Sequence, residues 1–292
     1  MTGSKIAEED AYLDRLGVKA EPPSVDALCR LHRAHVERVP WETLWIQQGA
    51  RWGSEIRTSV QRIATTTRGG YCFHLNGAFS ALLGSLGYRV TLHVGGVHGP
   101  DGPSPADLTN HLVLLVHDLP SDSNPVGIWY VDVGLGDALY EPLPLQAGRY
   151  HHEPFELALD PVEQGLGDWH LTHDEHGSFT GMSWSATPTG IASFARRHEW
   201  LSTAPESGFV RNLVVQRRDA GSITVLRGLV LRRIGLGASE MVLTSRDELF
   251  DVFADTFGLH LGDLDAAQRA GLWERVAAAQ ADWEAQAGTS GY

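Results

Sequence analysis

Residues 68–73 read Arg68-Gly69-Gly70-Tyr71-Cys72-Phe73 and place one of the two cysteines of the 292-residue chain directly after a glycine pair. From Leu75 to Leu86, apolar residues recur at intervals of three and four, which predicts an amphipathic helix that ends near Gly87. Cys72 would then lie in the first helical turn, where free backbone N–H groups and the helix dipole favour a thiolate. The segment predicts a reactive cysteine, although a small buried cysteine without a chemical role is the commoner case.

A histidine and an aspartate follow in two short apolar runs. His111 opens the run 111–116, and Asp132 lies within the run 128–133. Both runs are rich in β-branched and aromatic residues and predict strands, and the loop between them permits an antiparallel pair. Histidine could then take the thiol proton while the carboxylate fixes its tautomer. Each residue alone is more often structural, but together Cys72, His111 and Asp132 predict nucleophilic catalysis.

The same residues resemble the signature of the arylamine N-acetyltransferase family. Beside residues 68–73 and Asn76, the resemblance includes Val39-Pro40-Trp41-Glu42-Thr43-Leu44, His111 in a strand, Val131-Asp132-Val133-Gly134-Leu135-Gly136, and residues 201–209, which are similar to a lid segment. It covers nearly the whole chain. It implies an α+β fold with a cysteine-protease-like catalytic core. The implied domains are a helical domain at 1–88 that carries Cys72, a β-barrel at 89–190 that carries His111 and Asp132, and an α/β lid at 191–292.

The resemblance also implies a reaction and a site. Cys72 would take an acetyl or other short acyl group from acetyl-CoA or another acyl-CoA as a thioester, and a small aromatic amine or hydrazine would then accept it. The catalytic residues would be Cys72, His111 and Asp132, and Arg68 would form a buried structural ion pair with Glu42. The implied substrate-binding residues are Trp41, Leu135, Phe209, Gly134 and Gly136.

Other functions stay open at this point. The family usually has phenylalanine where Trp41 and Leu135 stand, so the pocket differs in shape. Related amide synthases release or cyclise a carrier-bound polyketide chain onto an aryl amine, which would make an acyl carrier protein a partner. A Cys-His-Asp set can also pass an acyl group to water, as in a thioester hydrolase. A catalytically silent binding module is a further alternative, and the intact Cys72, His111 and Asp132 argue against it.

Composition limits the cellular compartments and the classes of partner that we expect. The formal net charge of −13 argues against nucleic acid, because phosphate binding requires clustered basic residues. No apolar stretch approaches the roughly 20 residues needed to span a bilayer, and residues 1–15 are too polar for a signal peptide. Cys29 and Cys72 cannot form a disulfide framework, which suits a reducing compartment. We therefore expect a cytoplasmic enzyme without a membrane partner.

Histidine-rich segments raise the question of a metal site. His170, His173 and His176 recur every three residues, but zinc needs three or four converging ligands, and side chains in strands alternate in direction. We expect no metal. His74, early in the predicted catalytic helix, could border the thiol or be exposed.

The remaining patterns predict ordinary elements. Helices are expected at 25–39, from Ser245 onward and at 265–287, and a strand is expected from Tyr88 onward. Strands are also expected at 155–159, 169–172 and 179–184 in the barrel, and at 209–216, 223–230 and 241–243 in the lid.

Overall fold

The computed structural model describes residues 2–289, with side chains described for 8–285. Helices dominate its first part: α1 (Thr2–Leu16), α2 (Val25–Arg38), α3 (Leu44–Gln47), α4 (Ile56–Thr65) and α5 (Cys72–Ser85). Almost every residue of α5 from Cys72 to Leu83 is buried, because the helix is apolar on most of its circumference and other elements cover it. The predicted stripe from Leu75 to Leu86 is therefore only one side of a central helix.

An antiparallel, nearly closed eight-stranded barrel follows. Its strands are β2 (Arg89–His98), β3 (His111–His117), β4 (Trp129–Val131), β5 (Leu143–Pro144), β6 (Gly148–His152), β7 (Phe155–Pro161), β8 (Trp169–Thr172) and β9 (Gly181–Thr189). They are arranged in the order β5-β4-β3-β2-β9-β8-β7-β6. The expected pairing of the His111 strand with the following strand is present, because β3 and β4 are antiparallel neighbours.

The last part of the chain combines a second sheet with helices. The sheet has the order β1-β10-β11-β12-β13 and contains β1 (Trp41–Glu42), β10 (Val214–Arg218), β11 (Ser222–Arg227), β12 (Val230–Gly235) and β13 (Ser239–Val242). The helices are α6 (Ala195–Thr203), α7 (Gly208–Arg211), α8 (Arg246–Asp251) and α9 (Ala266–Thr289). Strand β1 comes from the N-terminal part of the chain and pairs with β10. The predicted fold class, an α+β chain with helical, barrel and lid parts, is confirmed.

Three strand predictions need correction. Strand β4 ends at Val131, so Asp132 lies just beyond it. The segment 209–216 is not one strand, because the Ser207 hydroxyl accepts a hydrogen bond from the Phe209 N–H and begins the short helix α7. The segment 223–230 contains the turn between β11 and β12, where Gly228 has φ +58°.

The hydrophobic clusters connect parts of the chain that are distant in sequence. Leu201 from α6 packs with the N-terminal helices, Ile223 from β11 packs with barrel residues, and Leu44 from α3 packs with residues of the lid sheet. The division into domains at residues 88 and 190 stays a prediction. No helix among residues 2–289 is long and apolar enough to cross a membrane.

Candidate active site

The turn before α5 is built by two glycines and a backbone contact with β1. Gly70 has φ +123°, a backbone conformation that favours glycine, and its carbonyl accepts a hydrogen bond from the Glu42 N–H at 2.9 Å. A Cβ atom on Gly69 would lie 2.0 Å from the Pro40 carbonyl oxygen. Tyr71 then precedes the helix, and its N–H donates to His74 Nδ1 at 3.3 Å. These contacts start α5 at Cys72.

Arg68 connects the start of this turn to β1 through a buried ion pair. Its Nε and Nη2 atoms donate to the two carboxylate oxygens of Glu42 at 2.9 and 3.1 Å, and Nη1 donates to Gln48 Oε1 at 3.0 Å. Both charged side chains are buried. Two parallel hydrogen bonds fix the relative orientation of the groups as well as their distance. The arrangement therefore anchors the residues that precede the cysteine.

The structure brings together the three predicted catalytic side chains. His111 Nε2 lies 2.7 Å from Asp132 Oδ2, and both residues are buried. The Cys72 sulfur interacts with the His111 ring and donates to the Asn110 carbonyl oxygen at 3.6 Å. Since Nε2 faces the carboxylate, Nδ1 is the ring nitrogen left for the sulfur. Sulfur, imidazole and carboxylate thus form the chain of contacts that an activated thiol requires.

Asp132 is held by more partners than the sequence reading identified. Its Oδ1 atom accepts hydrogen bonds from Asn76 Nδ2 at 2.8 Å and from the Gly134 N–H at 2.9 Å, and Oδ2 also accepts from the Tyr130 hydroxyl at 3.0 Å. Asn76 Oδ1 in turn accepts from the Val133 N–H at 2.9 Å. The position of Asn76, four residues after Cys72 on the same helix, was a usable signal for its role. Tyr130 lies two residues before Asp132, the spacing that places two side chains on one face of an extended segment, and this was a comparable signal.

Electrostatics favour a protonated His111. Burial by itself lowers the pKa of His111, but the negative charges of Asp132 and Cys72 and the hydrogen bonds to both outweigh burial and raise it to about 10. Burial and the adjacent Asp132 carboxylate raise the pKa of Tyr130 well above its usual value, so its hydroxyl remains a donor. A cationic imidazole beside the sulfur is the condition under which a cysteine attacks as thiolate.

A cavity of about 340 Å³ gives access to the sulfur. Trp41, Leu135, Phe209 and Gly134 line it together with Cys72 and His111. Trp41 Nε1 donates to the Gly134 carbonyl at 2.9 Å, and the Trp41 and Phe209 rings meet edge to face with centroids 5.3 Å apart. A Cβ atom on Gly134 would lie 2.7 Å from the Cα atom of Cys72, so glycine is needed for this close approach.

Gly136 has a different place from the one implied by the family resemblance. It is absent from the lining of the 340 Å³ cavity, and a Cβ atom there would lie 1.9 Å from Gln216 Oε1. Gln216, which the sequence reading did not identify, lines the cavity instead. Gly136 therefore makes room for the side chain of a pocket residue.

A second cavity of about 570 Å³ adjoins the first. Ser178, Val225 and Arg227 line both cavities, and α9 contributes Trp283 to the larger one. The two cavities are therefore neighbours, and Cys72 lines only the smaller one.

The histidines outside the catalytic set have other surroundings. His74 is buried and packs edge-on against Trp45 and Trp52, with ring centroids 5.6 and 6.0 Å apart, and it does not line either cavity. His170, His173 and His176 do not converge on one point. Within the described residues, no group of three or more His, Cys, Asp or Glu side chains is placed to hold a metal ion.

Comparison with known proteins identifies the class. The sequence profile of the N-acetyltransferase family matches residues 24–266. The chain therefore belongs to this family, in its arylamine N-acetyltransferase branch, and is an acyltransferase.

Individual relatives align with this chain over most of their length and most of its own. The arylamine N-acetyltransferase of Mycolicibacterium smegmatis is 30% identical over 87% of this chain and 92% of that protein. The solved structure of the M. smegmatis enzyme has a TM-score of 0.79 at 27% identity and covers 90% of this chain and 97% of its own. The Mycobacterium marinum enzyme in complex with CoA has a TM-score of 0.79 at 26% identity, with 91% and 97% covered.

Proposed function

We propose that this protein transfers an acetyl or other short acyl group from acyl-CoA to an aromatic amine or hydrazine through a thioester on Cys72. The observation that supports this most directly is the buried contact chain from Cys72 through His111 to Asp132 at the floor of an accessible cavity. The M. marinum relative in complex with CoA supports the choice of donor. An aromatic acceptor fits a pocket walled by Trp41 and Phe209.

The first half of the reaction acylates the enzyme. The Cys72 thiolate attacks the donor carbonyl, a new C–S bond forms, and the bond to the CoA sulfur breaks. The His111 imidazolium supplies the proton that the departing CoA thiolate takes up. In the first turn of α5 the His74 and Leu75 N–H groups donate to the Tyr71 carbonyl, which leaves the Cys72 and Phe73 N–H groups to bind the carbonyl oxygen as it gains charge.

The second half transfers the acyl group. The amine nitrogen attacks the thioester carbonyl, a C–N bond forms, the bond to Cys72 Sγ breaks, and the amine proton passes to the neutral His111. Asp132 orients the imidazole and stabilises its charge in both halves through the bond at 2.7 Å. The larger cavity offers space for the donor's pantetheine arm while the acceptor occupies the smaller one.

Intact mass measurement tests this proposal. Incubation with acetyl-CoA should add one acetyl group to the protein, and Cys72→Ala should remove the adduct while leaving the fold unchanged by circular dichroism. An arylamine should then clear the adduct at least tenfold faster than water does, because the pocket holds the amine against the thioester. The absence of an adduct with every acyl thioester tried would refute the transferase. Clearance by water at the same rate would identify a hydrolase.

One structural feature keeps the amide synthase alternative in view. The larger cavity, next to the one that contains Cys72, offers space beyond that needed for a short acyl group. An amide synthase predicts slow acylation by acetyl-CoA and fast acylation by a long-chain or carrier-bound thioester. Rapid acetylation of a small hydrazine would contradict it. We also propose a cytoplasmic location, since a reactive thiol is preserved in a reducing compartment.

A further inference from the structure

The imidazole of His32 contacts the main chain of the segment that begins with Asp132. His32 belongs to α2 and is fully buried. Its Nε2 atom lies 3.1 Å from the Asp132 carbonyl oxygen, and its Nδ1 atom lies 3.0 Å from the Tyr140 carbonyl oxygen. A single buried ring therefore contacts both ends of the segment 132–140.

The segment 132–140 forms part of the site around the sulfur. The Asp132 carboxylate contacts His111, and the Gly134 N–H donates to the same carboxylate at 2.9 Å. Leu135 lines the 340 Å³ cavity. The position of this main chain therefore determines where the carboxylate meets the imidazole and where one wall of the cavity lies.

The His32 ring has two carbonyl neighbours but only one proton to donate. Burial lowers the pKa of His32 to about 4, although its contacts with Tyr140 and Asp132 act in the opposite direction, so the ring is neutral at neutral pH. A neutral imidazole has a single N–H group and can donate to only one of the two carbonyls. The tautomer of His32 therefore decides which end of the segment receives a hydrogen bond.

The charges on the two sides of the ring favour the proton on Nε2. This nitrogen faces the main chain of Asp132, whose carboxylate is negative. On the other side, the Arg218 guanidinium lies 5.6 Å from the centroid of the Tyr140 ring. An N–H group is the positive end of a dipole, so it is more stable when it points toward the anion and away from the cation.

The titratable side chains that adjoin His32 on other turns and strands do not oppose this preference. His35 on α2 and His152 on β6 both interact electrostatically with His32. Burial lowers the pKa of His35 well below its ordinary value and that of His152 to about 3, so both rings are neutral at neutral pH. The charges that act on His32 are those of Asp132 and Arg218.

We propose that His32 is a positioning residue for Asp132: its Nε2–H group donates to the Asp132 carbonyl and fixes the main chain from which the carboxylate reaches His111. This proposal rests on the proposed transfer reaction. Helix α2 then holds the main chain of Asp132, whereas Asn76 on α5 holds its side chain. His32 lines neither cavity and acts on the reaction only through Asp132.

Nitrogen NMR of the protein labelled with nitrogen-15 in its histidines tests the tautomer without requiring turnover. The ring signals of His32 are assigned by their loss in His32→Gln. At neutral pH, Nε2 should give the signal of a protonated nitrogen and Nδ1 that of an unprotonated one. A protonated Nδ1 would overturn the proposal, because the ring would then donate to Tyr140 and not to Asp132.

Three substitutions at His32 separate the roles of the two ring nitrogens. His32→Gln places an amide N–H group near the position of Nε2, the shorter side chain of His32→Asn places one near Nδ1, and His32→Leu has no donor. Alkylation of Cys72 by iodoacetamide at about pH 6 should stay within about twofold of wild type in His32→Gln and slow about tenfold in the other two. A displaced Asp132 supports the imidazolium less, and the thiolate beside it becomes less stable.

The titration of His111 gives a readout that general loss of stability would not move. The charge of Asp132 is the largest of the effects that raise the pKa of His111 to about 10. The same NMR experiment should therefore show a lower pKa of His111 in His32→Leu and a wild-type value in His32→Gln. The glutamine variant remains informative if His32→Leu folds poorly.

His35→Leu is the matched control. His35 is fully buried on the same helix, but it contacts the Tyr12 hydroxyl at 2.8 Å and not the segment 132–140. This variant should lower the melting temperature and leave both the alkylation rate and the His111 titration unchanged. Equal changes in His35→Leu and His32→Leu would overturn the proposal, as would an unchanged His111 titration in His32→Leu.

Failure of the transfer reaction is a separate result. It would appear as no acetyl adduct on the wild-type protein. The tautomer of His32 and the titration of His111 require no acyl donor, so they test the positioning role by itself.

Discussion

Asn76 is not one of the three proposed catalytic residues, but its side chain contacts the segments that carry them. Its side chain holds the Asp132 carboxylate at 2.8 Å, accepts from the Val133 N–H and donates to the Leu112 carbonyl at 2.6 Å. It therefore connects the helix that carries Cys72 with the segments that carry His111 and Asp132. We interpret Asn76 as a positioning residue.

Replacement of Asn76 by alanine should slow acylation of Cys72 by about tenfold to a hundredfold, the range seen when a supporting hydrogen bond at a reactive centre is lost. The Asp132 charge is the largest of the effects that raise the pKa of His111 to about 10. A displaced carboxylate should lower this pKa, and the rate should then begin to fall at a pH below about 10. Ser85→Ala, on the same helix but remote from the site, is the control. A slower rate with an unchanged pH profile would indicate a purely structural role.

The sequence indicated the proposed catalytic residues better than the residues that support them. Cys72, His111 and Asp132 were recognisable because their chemical types and their order match a known chemistry. Asn76 donates to Asp132 across 56 residues of sequence, so its helical position indicated its side of the helix but not its partner. Tyr130 donates to Asp132 from two residues away, but the hydrogen bond depends on the burial of both side chains.

Strand β6 presents two adjacent histidines to opposite environments. His151 is exposed and contacts Glu153 and Glu156, and these hydrogen bonds raise its pKa. His152 accepts a hydrogen bond from the Tyr140 N–H, and burial, followed by the charge of Arg218, lowers its pKa to about 3. Alternation along a strand separates the two side chains and gives them opposite titration behaviour.

We expect His152 to weaken the fold in acid. Its folded-state pKa of about 3 lies below the unfolded value near 6.5, so the unfolded state binds the proton first and stability falls as pH decreases from about 6.5 to about 3. His152→Gln should make the loss of unfolding free energy over this range smaller. His151→Gln, the neighbouring control, should not make this loss smaller. The raised pKa of His151 stabilises the fold at low pH, and this contribution is lost as pH increases. Urea unfolding at several pH values measures both.

The lid elements were the least predictable part of the sequence. The segment 209–216 is apolar and β-branched enough to suggest a strand, yet the Ser207 cap and the Gly208 carbonyl that accepts from the Asn212 N–H form a helical turn there. Local propensity is overridden where a short segment has to pack over the active-site cavity.

Segments from the N-terminal part of the chain pair and pack with the lid sheet. Strand β1 places Trp41 and Glu42 on the edge of the lid sheet, and Leu44, fully buried, belongs to the lid's hydrophobic cluster. The three hydrophobic clusters therefore depend on one another.

This interdependence predicts a single unfolding transition. Leu44→Ala and Leu83→Ala remove buried side chains from the lid cluster and from the helical cluster, and each should cost about 2–5 kcal/mol. Both should lower the same melting temperature, whether it is followed by far-ultraviolet circular dichroism or by tryptophan fluorescence. Two separate transitions, each shifted by only one of the variants, would contradict this coupling.

The sequence by itself predicted the proposed chemistry and determined the class of fold. A cysteine at a helix start, and a histidine and an aspartate in apolar runs, are local features whose types and spacing carry their meaning. Tertiary structure decided what surrounds them: Asn76 on the carboxylate, Gln216 in the space left by Gly136, and Arg227 in the lining of both cavities. These placements depend on strand register and on contacts between distant segments, which no local pattern encodes.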